Sequence, residues 1–252
     1  MNAILNHRSI RKYKSDAIND KILKDILLGA SRASNTGNMQ WYSIIVTQKP
    51  EIKEQLLPLH FNQAMVKEAP LVLTFCADVH RFTLWCQIRK AIPGYSNFLS
   101  FFNAATDALL AAQNASLVAE SHGLGICYLG TTIYNAGKII DVLKLPRGVI
   151  PVTTLVIGHP AEKPEITDRL PMEAVVHLET YQPYSPELID TLYNEKENMP
   201  FYKDLVAQNN TETLAHIFTD KRYKLLDNEN FSKAFLQALI QQGFLPDNFS
   251  NV

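Results

Sequence analysis

The first dozen residues carry His7-Arg8-Ser9-Ile10-Arg11-Lys12-Tyr13, a run that crowds two guanidiniums, an imidazole and a hydroxyl together. Guanidinium and imidazole groups clamp phosphate by charge-assisted hydrogen bonds, and the serine adds a neutral donor. The same composition also suits a solvated basic face. Further along, Ser34-Asn35-Thr36-Gly37-Asn38 offers hydroxyls, amides and a permissive glycine. That set can serve the donor and acceptor edges of a polar ring, or make an ordinary helix-to-strand connection. Gln63 can read an amide edge or simply be solvated. Arg169 follows an irregular, proline-containing stretch, where it can close on an anion or form a surface ion pair of little energetic weight.

These groups include no evident nucleophile and no acid–base pair. Gly123-x-Gly125 lacks the third glycine of a dinucleotide fingerprint and follows a helical pattern, so helix capping accounts for it. Cys76, His80 and Cys86 are not completed to a tetrahedral metal site by any second pair of ligands. There is no G-x-S-x-G elbow and no P-loop. Polar groups fit to hold a cofactor, without a catalytic dyad, suit an enzyme whose cofactor supplies the chemistry.

Composition bounds the possibilities. The chain has 252 residues, 46% hydrophobic and 19% charged, enough for one large domain, or one domain plus an extension, with a substantial core. A formal net charge of −1 gives no electrostatic reason to expect nucleic acid or an anionic membrane as partner. Three cysteines without CxxC spacing suggest thiols in a reducing compartment. Asn6, His7, Arg8 and Arg11 interrupt any signal-peptide core, and no apolar run is long enough to span a bilayer, so the expected location is the cytoplasm.

The elements that must position these groups can be read from periodicity. Ile22, Ile26, Leu27 and Ala30 predict a helix capped by Asn19 or Asp20. Trp41 to Thr47 reads as a strand, and Pro70 to Ala77 as a strand buried on both faces. Phe101 to His122 predicts a long, alanine-rich helix lying centrally or at a subunit interface, ended by Gly123-Leu124-Gly125. Strands are expected at Ile126 to Leu129 and Val149 to Ile157, around a short helix from Ala136 to Leu143. Strands alternating with helices predict an α/β or α+β sandwich. From Glu187 onward the pattern is helical and amphipathic, an extension wrapping the main domain or a second subunit.

Taken in order, these motifs resemble the FMN-dependent nitroreductase superfamily, within it the oxygen-insensitive NADPH nitroreductases and the flavin reductases of luminous bacteria. His7-Arg8-Ser9-Ile10-Arg11 is similar to its N-terminal FMN motif, and Ser34-x-x-x-Asn38-x-Gln40 to its second loop. The likeness continues through Asp107, Ala112-Gln113-Asn114, Ala119 to Gly125, Tyr128-Leu129-Gly130 and Leu143 to Pro146. It then takes in Gly158 to Ala161, Arg169-Leu170-Pro171 and Tyr181-Gln182-Pro183. The resemblance implies an α+β fold: an α/β/α sandwich with a central mixed sheet, residues 1–183 binding FMN, and residues 184–252 wrapping a homodimer partner.

By the same resemblance, His7, Arg8 and Ser9 would hold the FMN phosphate and ribityl chain, and Arg11 the pyrimidine edge. Gln63 would bond the pyrimidine ring. The backbone of Tyr128, Leu129, Gly130 and Thr131 would approach flavin N5, and Asn35, Thr36, Gly37 and Asn38 would reach it from the other subunit. Arg169 would complete the phosphate clamp, with Thr167 where the family often has lysine. Implied partners are NADH or NADPH and a small aromatic electron acceptor. The luminous-bacteria group tends to carry a basic loop for the NADPH 2′-phosphate, whereas Ala207 to Thr213 here contains neither Lys nor Arg. Alternatives on the same fold are a flavin-binding sensor or carrier with little turnover, and a reductive dehalogenase.

Overall fold

The computed structural model describes residues Asn2–Asn251. The chain divides into two compact units, one running to Glu165 and resuming at Phe231, the other Ile166–Asn230.

The first unit is built on four strands: β1 (Tyr42–Thr47), β2 (Leu71–Asp78), β3 (Gly125–Leu129) and β4 (Val149–Gly158), in the spatial order β1-β2-β4-β3. Every residue of β2 is buried, as its nearly unbroken apolar sequence requires of a strand covered on both faces. The expected mixed sheet is instead antiparallel at each strand pair. The mixed sheet is what the resemblance implies, and β2 and β3 do run the same way. However, β4 lies between them and opposes both. Among the described residues, parallel pairing enters this sheet only as an isolated bridge between Ser9 and Ile126.

One face of the sheet is covered by the helices Asp20–Ser31 and Phe98–Ser121. Asn19 caps the first by accepting a hydrogen bond from the Lys21 amide, and Asn97 caps the second through the Ser100 amide. Ala108, Ala111, Ala112, Ala115 and Ala119 pack with Leu71, Leu73, Phe75 and Leu155 beneath them. The alanine face of the long helix is therefore central. Its other side leaves Leu99 68% and Phe102 59% exposed, with Leu109 and Leu110 beside them, an apolar stripe large enough to need a reason. The opposite face of the sheet packs Val72, Cys127, Leu129 and Val156 against Leu56, Val66 and Ile139. These layers make the α/β/α sandwich.

The second unit is helical, with Pro186–Asn198 and Pro200–Asn209 as its longest complete helices. Its own small core gathers Tyr202, Leu214 and Ile217. The chain re-enters the first unit at Phe231, inside the helix Leu225–Gln241. Among the described residues, no helix is long and apolar enough to cross a membrane.

Candidate functional site

The N-terminal basic segment is strapped down by its backbone. Ser9 bridges Ile126 at the start of β3, and the Ile10 amide donates to the Ile126 carbonyl at 2.8 Å. Gly125 permits this approach, since a Cβ there would lie 2.6 Å from Ile10 Cγ1. One oxygen of Glu162 accepts from the amides of Arg11 (2.7 Å) and Lys12 (3.1 Å). The buried Tyr13 hydroxyl donates to the Ile10 carbonyl at 2.6 Å. Burial first, then the Cys127 and Glu162 charges, push that phenol far above the ordinary tyrosine range, so it stays a donor. The Arg11 side chain is exposed on this fixed backbone.

His7 Nδ1 lies 2.7 Å from Glu120 Oε1, which orients the ring. Arg8 donates from Nη1 to the Pro164 carbonyl at 3.1 Å, leaving most of its five N–H groups for other partners. Arg8, Glu120, Glu162 and Lys163 line an open cleft of about 620 Å³. The two carboxylates are already committed, to the His7 ring and to backbone amides, which limits their repulsion of an anion.

At the far end of β3 the chain turns into the short helix Gly130–Asn135. Ile126 and Gly130 are four residues apart, roughly 14 Å along a strand. Gly130 is exposed, and a Cβ there would meet nothing within 4 Å, so its backbone is open to a flat ring. Thr131 Oγ1 lies 2.8 Å from His60 Nδ1. Gln63 Nε2 donates to the His60 carbonyl at 3.0 Å, and Asn135 Nδ2 donates to the Leu59 carbonyl at 2.8 Å. His60 thus brings Gln63 and Thr131 to one place. Its imidazole is fully buried, and burial lowers its pKa to about 4.

The loop containing Asn35 to Asn38 is organised by Asp107 on the long helix. Asp107 Oδ1 accepts from the Thr36 amide (2.8 Å) and hydroxyl (3.0 Å), and Oδ2 accepts from the buried Trp41 amide (3.3 Å). Asn35 Oδ1 accepts from the Gln40 amide, while Gly37 and Asn38 both take left-handed φ, at 56° and 55°. The hydrogen bonds of this loop lead to the long helix, not to His7–Arg11 or Gln63.

Thr167 and Arg169 belong to the second unit. Arg169 is exposed and donates to the carbonyls of Thr167 (3.1 Å) and Asp168 (2.9 Å). Between them, Asp168 is held by Lys196 Nζ (2.6 Å) and the Tyr202 hydroxyl (2.6 Å). Burial pulls the Asp168 pKa upward, but the Lys196 and Tyr202 hydrogen bonds outweigh it and hold the carboxyl below its ordinary value.

Sequence reasoning gave no role to His60, Glu120 or Glu162, and none of its own to Asp107. The one usable signal was Asp107, a lone acid among buried alanines, since a buried charge must find partners. His60 sits in Leu57-Pro58-Leu59-His60 without any pattern of its own.

The fold and this strapped cationic segment define a family, and the sequence comparisons agree on which. The Nitroreductase family model matches residues 4–159, and the chain belongs to that family. It is 34% identical over 213 residues to the FMN reductase (NADPH) of Bacillus subtilis, covering 83% of this chain and 86% of that one. A crystal structure from Bacteroides fragilis superposes with a TM-score of 0.95 at 52% identity, covering 97% of this chain and 100% of its own. The NADPH:FMN oxidoreductase of Vibrio harveyi, solved with NAD+, superposes with a TM-score of 0.74 at 28% identity, covering 94% and 96%.

Proposed function

We propose that this chain is an FMN-dependent NAD(P)H oxidoreductase that reduces small aromatic acceptors. The observation that carries the reading is the pair of sites at the two ends of β3. A fixed cationic segment stands at one end and an open glycine backbone at the other, spaced for a ring system bearing a phosphorylated tail. The residues fit FMN. His7, Arg8 and Ser9 would hold the phosphate and ribityl chain. Gln63 would pair with the pyrimidine ring, Tyr128 and Leu129 would lead the backbone to it, and Gly130 and Thr131 would meet the N5 edge.

Bound FMN supplies two-electron hydride chemistry that no side chain here can perform. The protein's part is positioning and charge. Glu162 fixes the backbone at Arg11, from which the guanidinium would reach the pyrimidine edge and favour added electron density there. His60 and Asn135 anchor the Gly130–Asn135 turn and leave the Gly130 backbone exposed. Were one face of the bound ring to lie against protein, NAD(P)H and the acceptor would have to share the other, and the kinetics would be ping-pong. Nitroaromatics, quinones and free flavin are acceptors of suitable shape. Because Ala207 to Thr213 carries no cation, the 2′-phosphate of NADPH gains little there and NADH should serve at least comparably.

The exposed stripe of Leu99, Phe102, Leu109 and Leu110 supports a homodimer formed through the long helix, in which Asn35 to Asn38 reach the partner's flavin. The same missing cations favour, as second reading, a flavin module with little turnover. Anaerobic mixing with NADH or NADPH separates the two readings: prompt bleaching of the flavin marks the reductase, and no bleaching with either nucleotide marks the module. Intersecting double-reciprocal lines would reject the shared face.

A further inference from the structure

We propose that Thr131 is a side-chain hydrogen-bond donor to the bound flavin and that His60 is the positioning residue that aims it. The inference rests on the FMN reading above and assigns a new role within that site. His60 is fully buried, and its two ring nitrogens have unequal surroundings. Nδ1 lies 2.8 Å from Thr131 Oγ1, while Nε2 is buried without a hydrogen-bond partner. Burial keeps the imidazole neutral at physiological pH, so only one nitrogen bears a proton. A proton on Nε2 would leave a buried N–H with no acceptor, whereas a proton on Nδ1 is donated to Thr131 and leaves only a lone pair unmatched. Orphaned buried N–H groups are the rarer of the two, and the structure assigns the Nδ1–H tautomer.

That assignment fixes what Thr131 can do. Its oxygen accepts from His60, and among the described residues it makes no other side-chain hydrogen bond. The hydroxyl proton is therefore free to be donated, from a half-buried residue directly beside the open backbone of Gly130. Directed at the flavin carbonyl oxygen beside N5, where charge builds up on reduction, such a donor would interact more strongly with the reduced ring than with the oxidised one and would raise the reduction potential.

The test uses the FMN-loaded protein and its T131V, T131S, H60L and H60N variants, reading FMN content and two-electron midpoint potential. T131V should keep FMN but shift the oxidised-to-reduced equilibrium about tenfold toward oxidised, a fall of about 30 mV. H60L should fall in the same direction, and T131S and H60N, which restore a hydroxyl and an amide donor, should recover most of the parent value. The two losses should be non-additive in T131V/H60L, because they remove one interaction. Nitrogen-15 NMR of the parent should find His60 protonated on Nδ1, a measurement that needs no variant to fold. An Nε2–H tautomer, or a T131V potential equal to the parent's at full FMN content, would overturn the proposal. A parent protein that takes up no FMN would instead overturn the reading on which it rests.

Discussion

Replacing Asp107 by alanine should destabilise the first unit by about 2–4 kcal/mol, and the number can be built from its partners. The carboxylate is 1% exposed and accepts three hydrogen bonds. The Trp41 amide is buried, and without an acceptor it bears a desolvation cost of roughly 1–3 kcal/mol. The Thr36 amide and hydroxyl are half-buried, so water can partly replace their lost acceptor, and about 1 kcal/mol is a fair share for them. For a chain of this size, about 2–4 °C in Tm per kcal/mol puts the expected fall near 10 °C. D107N should be intermediate, because an amide keeps one acceptor oxygen but aims N–H groups at either Thr36 or Trp41. Differential scanning calorimetry and urea unfolding of parent, D107A and D107N check the order. A loss below about 1 kcal/mol in D107A, or a D107N equal to the parent, would show that the loop does not depend on this carboxylate.

On the proposed site, R11A should weaken FMN retention by roughly 1.5–3 kcal/mol, a 10- to 150-fold rise in Kd measurable by flavin fluorescence on dilution. Lowering the pH should weaken the fold through His60, whose pKa is about 4 folded against 6.5 unfolded. The unfolded chain takes up its proton first, so stability is complete above about pH 6.5 and falls by on the order of 3 kcal/mol down to pH 4. H60N should flatten that limb in urea titrations at stepped pH. K196M removes one partner of Asp168 in the Lys196–Asp168–Tyr202 network, so limited proteolysis should cut within Ile166–Asn230 faster than in the parent. On the proposed homodimer, replacing Phe102 and Leu109 together by aspartate should yield a monomer by light scattering, because two charges cannot be buried in an apolar interface.

The strands and helices were legible in the sequence wherever one residue type repeats a single physical demand. Leu71–Asp78 is nearly all apolar because both of its faces are covered, and the alanines of Phe98–Ser121 recur because the sheet lies close beneath them. Asn19 and Gly123 marked helix ends by chemistry that acts within a few residues. What pattern does not carry is the order of strands in space: that β4 would lie between β2 and β3 depends on which faces pack, and no local preference encodes it. The site divides along the same line. The basic segment and the open glycine could be named because their residue types stand out in the local sequence. Glu120, Glu162 and His60 could not, because each takes its meaning from a partner far away in the chain, at His7, at Arg11 and at Thr131. Residues that bind announce themselves by type, whereas residues that position do so only by contact. The clearest case is His60, whose Thr131 partner lies 71 positions further on and becomes visible only when β3 sets Gly130 beside it.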